Sequence, residues 1–441
     1  AARAPRGPAG VAAAWRWRQL LQELERRAAL DERALARELE QRRGELRETT
    51  KVLIDRKAWL AQLRRTDLRA RQALIGWSDT QKKIGKGTGK RVPELQAQAR
   101  ELLARAREAV PVWIIPLARV AESFDPRARK FDVVIVDEAS QSDVTGLLAF
   151  YLGERVVVVG DHEQVSPSAI GERVEDARRL IGQHLTAVPN AHLYDGQTSI
   201  YDLARQAFGG TIALREHFRC VPDIIDFSNH LAYGGQMRPL RDPATAPAPH
   251  VAEYVVQGAA GAAGRDGKTN LGEARATAAL IAAMVETPAY ADATFGAVAL
   301  VGEEQAQLVQ QLALSLVGAV ELQRRKFAAG TPAQFQGDER DVMLLTMVDA
   351  PVGRVLPLRE TGAFKQRYNV AASRARNQLW LVHSLDPARD LQPNDLRRRL
   401  IEHVRDPGGM RRAVERVVAR TESVFEAAVV ERLVSAGYHV E

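Results

Sequence analysis

Two short runs constrain the fold of this chain more than any other feature: FDVVIVDE at 131–138 and RVVVVGD at 155–161. Each is an unbroken block of apolar, mostly β-branched residues that stops abruptly at acids or at Gly-Asp. A strand with one wet face alternates apolar and polar residues, whereas a continuous apolar run predicts a strand buried on both faces of a parallel sheet. VPVWIIPL at 110–117, TIALREHFR at 211–219, FGAVALV at 295–301, DVMLLTMV at 341–348 and QLWLVHS at 378–384 read the same way. Helical stretches separate these runs, so the economical fold is α/β with helices layered on parallel sheets. A length of 441 residues leaves room for two or three domains, and 46% hydrophobic residues supply their cores.

The first hundred residues differ. From 11 to 65 the chain is dense in Arg, Glu, Leu and Ala and has no proline. Leu39, Leu46, Leu53 and Leu60 recur at every seventh position, but Arg42, Thr49 and Arg56 fill the rest of the seam. So narrow a stripe suits a two-helix antiparallel stalk, either a solvated surface pair or a partner-binding one. A further helix is expected over TDLRARQALIGWSDTQKK at 66–83, and PLRDPATAPAPH at 239–250 reads as exposed loop. The resulting division is a helical stalk at 1–108, one α/β domain at 109–208, a second at 209–400 joined near Gly209, and a linker leading into a further domain at 401–441.

Bulk properties remove several classes of function. The single cysteine, Cys220, excludes an internal disulfide framework and a multi-cysteine zinc site, and fits a reducing, cytoplasmic setting. No apolar run reaches membrane-spanning length and no signal peptide is visible. A net charge of +7 admits a polyanionic partner without requiring one. The ends, AARAPRGPAG and AGYHVE, read as those of a fragment.

Candidate chemistry gathers where the apolar runs stop. The first run delivers Asp137 and Glu138 side by side at the carboxyl edge of the expected sheet, where ligands of open α/β folds bind. In a nucleoside-triphosphatase one such carboxylate holds Mg²⁺ and the other polarises the attacking water; a capping or salt-bridge role is the alternative. The second run ends at Gly160-Asp161, followed by Gln164, whose neutral amide could hydrogen-bond a γ-phosphate or simply face water. Arg219 is expected just after a strand and Arg374 at a helix start before another. Guanidinium groups reaching a triphosphate from across a cleft are worth roughly 10³ to 10⁵ in rate; surface ion pairing is the alternative for each. Between them lies AQFQGDERDVMLLTMV, with Gln336, Gly337 and Glu339 ahead of an expected strand.

In this order, the blocks resemble the motifs of superfamily 1 helicases, in the branch that includes the nonsense-mediated-decay helicase. DEASQ looks like motif II, GDHEQVSP like motif III, LREHFRCVP like motif IV, FQGDERDV like motif V and NVAASRAR like motif VI. The resemblance covers roughly residues 109 to 386. It implies two RecA-like P-loop NTPase domains, with ATP and Mg²⁺ as cofactors and a nucleic-acid partner. It further implies Asp137 for Mg²⁺, Glu138 for water activation, Gln164 for γ-phosphate coupling and Arg219 and Arg374 as fingers. Gln336, Gly337 and Glu339 would face the nucleotide and nucleic-acid cleft. One departure is plain: the usual Gln-Tyr-Arg of motif IV reads His217-Phe218-Arg219 here.

QKKIGKGTGKRV, at 81–92, comes close to spelling a phosphate loop. A G-x-x-x-x-G-K-[ST] loop needs a strand leading in, the correct glycine spacing and a hydroxyl after the lysine. Here the lead-in reads as helix, Ile84 stands where the first glycine belongs, and Arg91 follows Lys90. The stretch is therefore a decoy. On the resemblance, the true phosphate loop lies before the helical insertion, so this polypeptide is expected to bind ATP poorly while its intact parent hydrolyses it.

Trp113, Ser166 and Pro167 are candidates for contact with a single strand, by stacking and by lining the channel; for Trp113 a core role is the alternative. The tail SVFEAAVVERLVSAGYHVE resembles the opening of a restriction-endonuclease-like domain of the very-short-patch-repair type. Val424, Phe425, Val429, Val430 and Leu433 would form one helical face there, with Glu426 at the position of the first acid. Such a fusion favours DNA over RNA. The reading is thus a fragment of an ATP-dependent helicase or translocase. A nucleic-acid clamp with vestigial motifs is the alternative, and a self-associating scaffold built on the stalk is a third.

Overall fold

The computed structural model of the protein describes residues 8–28, 32–85, 87–124, 127, 130–164, 174–257, 268–409, 411–412, 423, 426 and 429. It divides into two units, Ala1–Arg129 and Lys130–Glu441.

The first unit is helical: α1 (Pro8–Ala28), α2 (Glu32–Arg65), α3 (Leu68–Ile84) and α4 (Val92–Ala106). The Asp67 carboxylate starts α3 by accepting from the Ala70 amide at 2.7 Å, and Gly85, at φ +52°, ends it. Small side chains let α3 and α4 approach closely, with Ala70, Ala73, Ala99 and Leu103 buried. The leucines of α2 at 39, 46, 53 and 60 are all exposed. VPVWIIPL forms no strand. Pro111 and Pro116 lack amide donors for a ladder, Val112 and Ile114 face solvent, and Val110, Trp113, Ile115 and Leu117 are only half-buried. Trp113 packs edge-on against Trp77 (6.4 Å between ring centres) and Phe124 (6.5 Å).

The second unit carries the sheets. β1 (Phe131–Val136) pairs in parallel with β2 (Gly153–Val158). β3 (Glu216–His217) pairs in parallel with β4 (Arg238–Pro239). The remaining strands are β5 (Val251–Val255), β6 (Phe295–Ala299), β7 (Ala328–Gly330), β8 (Arg340–Thr346) and β9 (Ala375–His383). They form one all-parallel sheet in the order β5-β9-β8-β6-β7. Helices Leu271–Glu286, Glu303–Val317, Pro222–Ala232, Gly362–Ala372 and Leu396–Arg405 pack on it and bury most of its middle strands, β6 throughout and Val342–Thr346 of β8. The α/β class with parallel sheets and a separate helical region agrees with the expectation. No described helix is long and apolar enough to cross a membrane.

Three expectations are corrected. β1 and β2 form where predicted, yet Val133, Ile135 and Val157 are exposed, because among the described residues each strand has one neighbour strand and a single short helix, Leu147–Tyr151, for cover. TIALREHFR yields only the two residues of β3, leaving Ile212 and Leu214 in solvent. Arg374 lies at a helix end, just beyond Gly362–Ala372 and just before β9. Of the tail, only Ser423, Glu426 and Val429 are described; Glu426 is exposed and its amide donates to the Ser423 hydroxyl at 3.1 Å. Val424, Phe425, Val430 and Leu433 lie outside the described residues, as do Ser166 and Pro167.

Candidate functional site

The exits of β1 and β2 are stitched together. The Val159 amide donates to the Val136 carbonyl at 2.8 Å, the Ala139 amide to the Val159 carbonyl at 2.9 Å, and the Asp161 amide to the Ser140 hydroxyl at 3.4 Å. Gly160 is required for this approach: a Cβ there would stand 2.8 Å from the Tyr201 ring and 3.0 Å from the Ser140 amide nitrogen. Asp137, Glu138, Asp161 and Gln164 therefore share one edge, as the two apolar runs predicted. Asp137 and Glu138 are exposed. Glu138 sits in the left-handed region (φ +50°, ψ +37°), and its carboxylate accepts from the Gln141 amide at 2.9 Å. A non-glycine residue held there is strained, as is common at functional turns.

Arg374 comes from the other side of the edge. The residue is 2% exposed; Nε donates to the Val370 carbonyl at 3.2 Å, and Nη2 to the Gln164 side-chain oxygen at 3.1 Å. Burial, then the charge of Arg219, lowers its pKa, while Glu138 pulls the other way. Gln164 and Arg374, 210 residues apart in sequence, thus meet directly. Arg219 is more open and holds Glu339 in an ion pair at 2.5 Å; Arg376 reaches the same carboxylate at 3.6 Å. Gly337, at φ +82°, makes the turn that brings Glu339 there. The Gln336 side-chain nitrogen is buried with no protein partner among the described residues. Trp113 belongs to the first unit and is described there.

His217, which replaces the usual glutamine, accepts from the Cys220 amide through Nε2 at 3.0 Å. Burial, helped by Arg219, pushes its pKa down to about 4, so it serves as a neutral acceptor that shapes the turn carrying Arg219. Burial pushes the Cys220 thiol up to about 12.

Sequence reasoning missed several members. Arg241 donates to the carbonyls of Arg219 (2.7 Å) and Arg376 (2.9 Å) and also to the Asn377 side chain, tying together the two segments that carry the arginines. Tyr233, Asn369 and Gln366 reach the 161–164 turn from two helices. No local pattern marks them, since each acts through a contact more than seventy residues away.

Comparison with known proteins fits this geometry. Residues 197–386 match a family model described as an AAA domain, and residues 17–172 match a second with the same description. The two matches fit the pair of RecA-like, P-loop NTPase-type domains implied by the motifs. Among solved structures, the PRRSV helicase is 14% identical over 57% of this chain and 34% of its own, with a TM-score of 0.27. Arterivirus nonstructural protein 10 (helicase) is 13% identical over 60% of this chain and 42% of its own (TM-score 0.28). Its complex with DNA gives 14% over 66% and 53% (TM-score 0.27). The chain thus spans about a third to a half of the length of these proteins. No curated protein matches the chain.

Proposed function

We propose that this chain supplies the acid and guanidinium halves of an ATP-dependent superfamily 1 helicase or translocase acting on nucleic acid, with DNA favoured. The single observation that carries the proposal is the direct bond from Arg374 to Gln164 beside Glu138. It joins motifs read independently as a γ-phosphate sensor, an arginine finger and a water-activating acid.

The residues fit a magnesium-triphosphate. Arg219, Arg374 and the orphan amide of Gln336 are donors suited to a polyanion, while Asp137 and Glu138 carry no ion pair among the described residues. No group of three or more metal ligands exists among the described residues, and Mg²⁺ typically takes one or two carboxylates and fills the rest of its shell with water and phosphate. When bound, the ion neutralises charge on the phosphates. Asp137 would hold it, Glu138 would orient and deprotonate the attacking water, and Gln164 would read the terminal phosphate. Arg374 and Arg219 would offset charge on the transferred group, with Gly337 and Glu339 shaping the cleft. The loop at 81–92 follows helix α3, with no strand leading in, and supports no phosphate-cradling role. Strand contact by Trp113, Ser166 and Pro167, nuclease chemistry near Glu426 and a cytoplasmic setting belong to the same proposal.

The test is nucleic-acid-stimulated phosphate release by the full-length protein. Glu138→Gln and Arg374→Ala are each expected to lower kcat by about 10³ or more. Wild-type-like hydrolysis in either variant overturns the assignment.

A further inference from the structure

Asp161 is the most heavily bonded side chain at the shared edge. Its Oδ1 accepts from the Glu163 amide at 3.0 Å; its Oδ2 accepts from the Gln164 amide nitrogen at 3.0 Å and from the Tyr233 hydroxyl at 2.6 Å. The Tyr233 oxygen in turn accepts from Asn369 Nδ2 at 3.0 Å, and the same amide donates to the Glu163 carbonyl at 2.9 Å. Asn369 is fully enclosed, and burial, then the Asp161 charge, raises the Tyr233 pKa, so the phenol remains a donor.

This matters because a glutamine amide has two ends of opposite polarity that can exchange by rotation. Arg374 can use only the oxygen end; turned round, the amide would present its NH₂ to a guanidinium. A carboxylate accepts and never donates. Asp161, by taking the nitrogen of Gln164, leaves the oxygen to Arg374. One amide hydrogen of Gln164 stays available. Tyr233 pins Asp161 and itself accepts from Asn369, on the helix Gly362–Ala372 that leads to Arg374.

We propose that Tyr233 is a positioning residue: through Asp161 it sets which end of Gln164 meets Arg374, so that seating of the 161–164 turn and placement of the arginine are one event. The link to hydrolysis rests on the nucleotide reading above; the positioning itself does not.

Hydrogen exchange on the 441-residue chain tests it, because the Glu163 amide bonds to the Asp161 carboxylate and the Gln164 backbone amide to the Asp161 carbonyl. Tyr233→Phe removes only the hydroxyl. Exchange in the 161–164 turn is expected to accelerate at least about fivefold, as for loss of a hydrogen bond to a charged group. Exchange within the Pro222–Ala232 helix beside Tyr233 should change less than about twofold. Asp161→Asn should reproduce the effect with the tyrosine intact, and the double variant should add nothing. An unchanged turn, additive effects, or equal acceleration in the helix overturns the proposal. In the full-length protein Tyr233→Phe should lower kcat about tenfold with KM nearly constant, whereas a merely structural role would leave kcat intact. If the wild type hydrolyses no ATP, the nucleotide reading fails while the exchange result still decides the positioning role.

Discussion

Two of the parallel sheets of the second unit, the β1-β2 pair and the five-stranded sheet, are written in similar residues and built to different depths. β1 and β2 leave Ile135 67% and Val157 47% exposed, whereas Leu344, Leu345, Leu379 and Leu381 of β8 and β9 are at 0%. An unbroken apolar run specifies a strand; whether it is covered depends on neighbours that the run does not encode. The chemistry is divided along the same line. The acids and Gln164 ride on the thinly built pair, while Arg374 is locked against the deep sheet and reaches across. The deep side is preorganised, and the thin side borrows order from it through Asp161, Gln164 and the 161–164 turn.

The largest effect that separates the two sheets is the cost of a cavity. Leu345→Ala in β8 is expected to lower unfolding free energy by about 2–5 kcal/mol, because transfer and cavity costs add in a packed core. Val157→Ala in β2 should cost less than about 1 kcal/mol, since its methyls already meet water. Urea unfolding of the two variants measures the difference. Equal losses would mean that the thin pair is covered in solution, and the comparison would break.

That contrast also explains what the sequence could and could not disclose. β1, β2, β6, β8 and β9 were legible because short, nearly continuous apolar runs that stop at polar residues have few alternatives. β5 (VAEYV) and β7 (AAG) were not: the first is interrupted by Glu253, which pairs with His383 and Arg405, and the second is mostly alanine. VPVWIIPL had the composition of a strand but also two prolines. At the candidate site, Asp137, Glu138, Gln164, Gly337, Glu339, Arg219 and Arg374 were named from motif order. The Gln164–Arg374 bond and the Arg219–Glu339 pair bring four of them into direct contact. Tyr233, Asn369 and Arg241 were not legible, because their meaning lies in which distant backbone they touch.

A second contrast sets exposed acids on the thin side against a buried one on the deep side. Glu273 is wholly enclosed at the end of β8 and accepts from the Thr346 hydroxyl (2.7 Å), the Val348 amide (2.7 Å), Ser384 (3.1 Å) and Asn270 (3.1 Å). These donors favour the anion, but burial outweighs them and raises the carboxyl from 4.5 to about 7. The folded state therefore holds this proton more tightly than the unfolded chain does. Its stabilisation is full below the unfolded value and declines as pH rises through the interval up to about 7, by roughly 3 kcal/mol at most. Denaturant midpoints taken across that interval should fall for the wild type, and Glu273→Gln should flatten the slope. A wild-type slope that Glu273→Gln leaves untouched would assign the titration to another group.

The smallest effect concerns strain. Glu138 holds a left-handed backbone conformation, which costs an L-residue about 1–2 kcal/mol, whereas Arg374 on the deep side has no such conformation. Glycine adopts it freely but loses roughly 0.5–1 kcal/mol of chain entropy on folding. Glu138→Gly should therefore stabilise the chain by about 0.5–1 kcal/mol, even though it removes the bond from Gln141. Glu138→Ala keeps the Cβ and should gain nothing. Both variants should lose phosphate release in the full-length protein to the same degree as Glu138→Gln. Stability and activity would then move in opposite directions at one residue, as expected if the turn is strained to aim a carboxylate. If Glu138→Gly is no more stable than Glu138→Ala, the backbone there is relaxed, and the thin side owes its geometry to the contacts of the 161–164 turn alone.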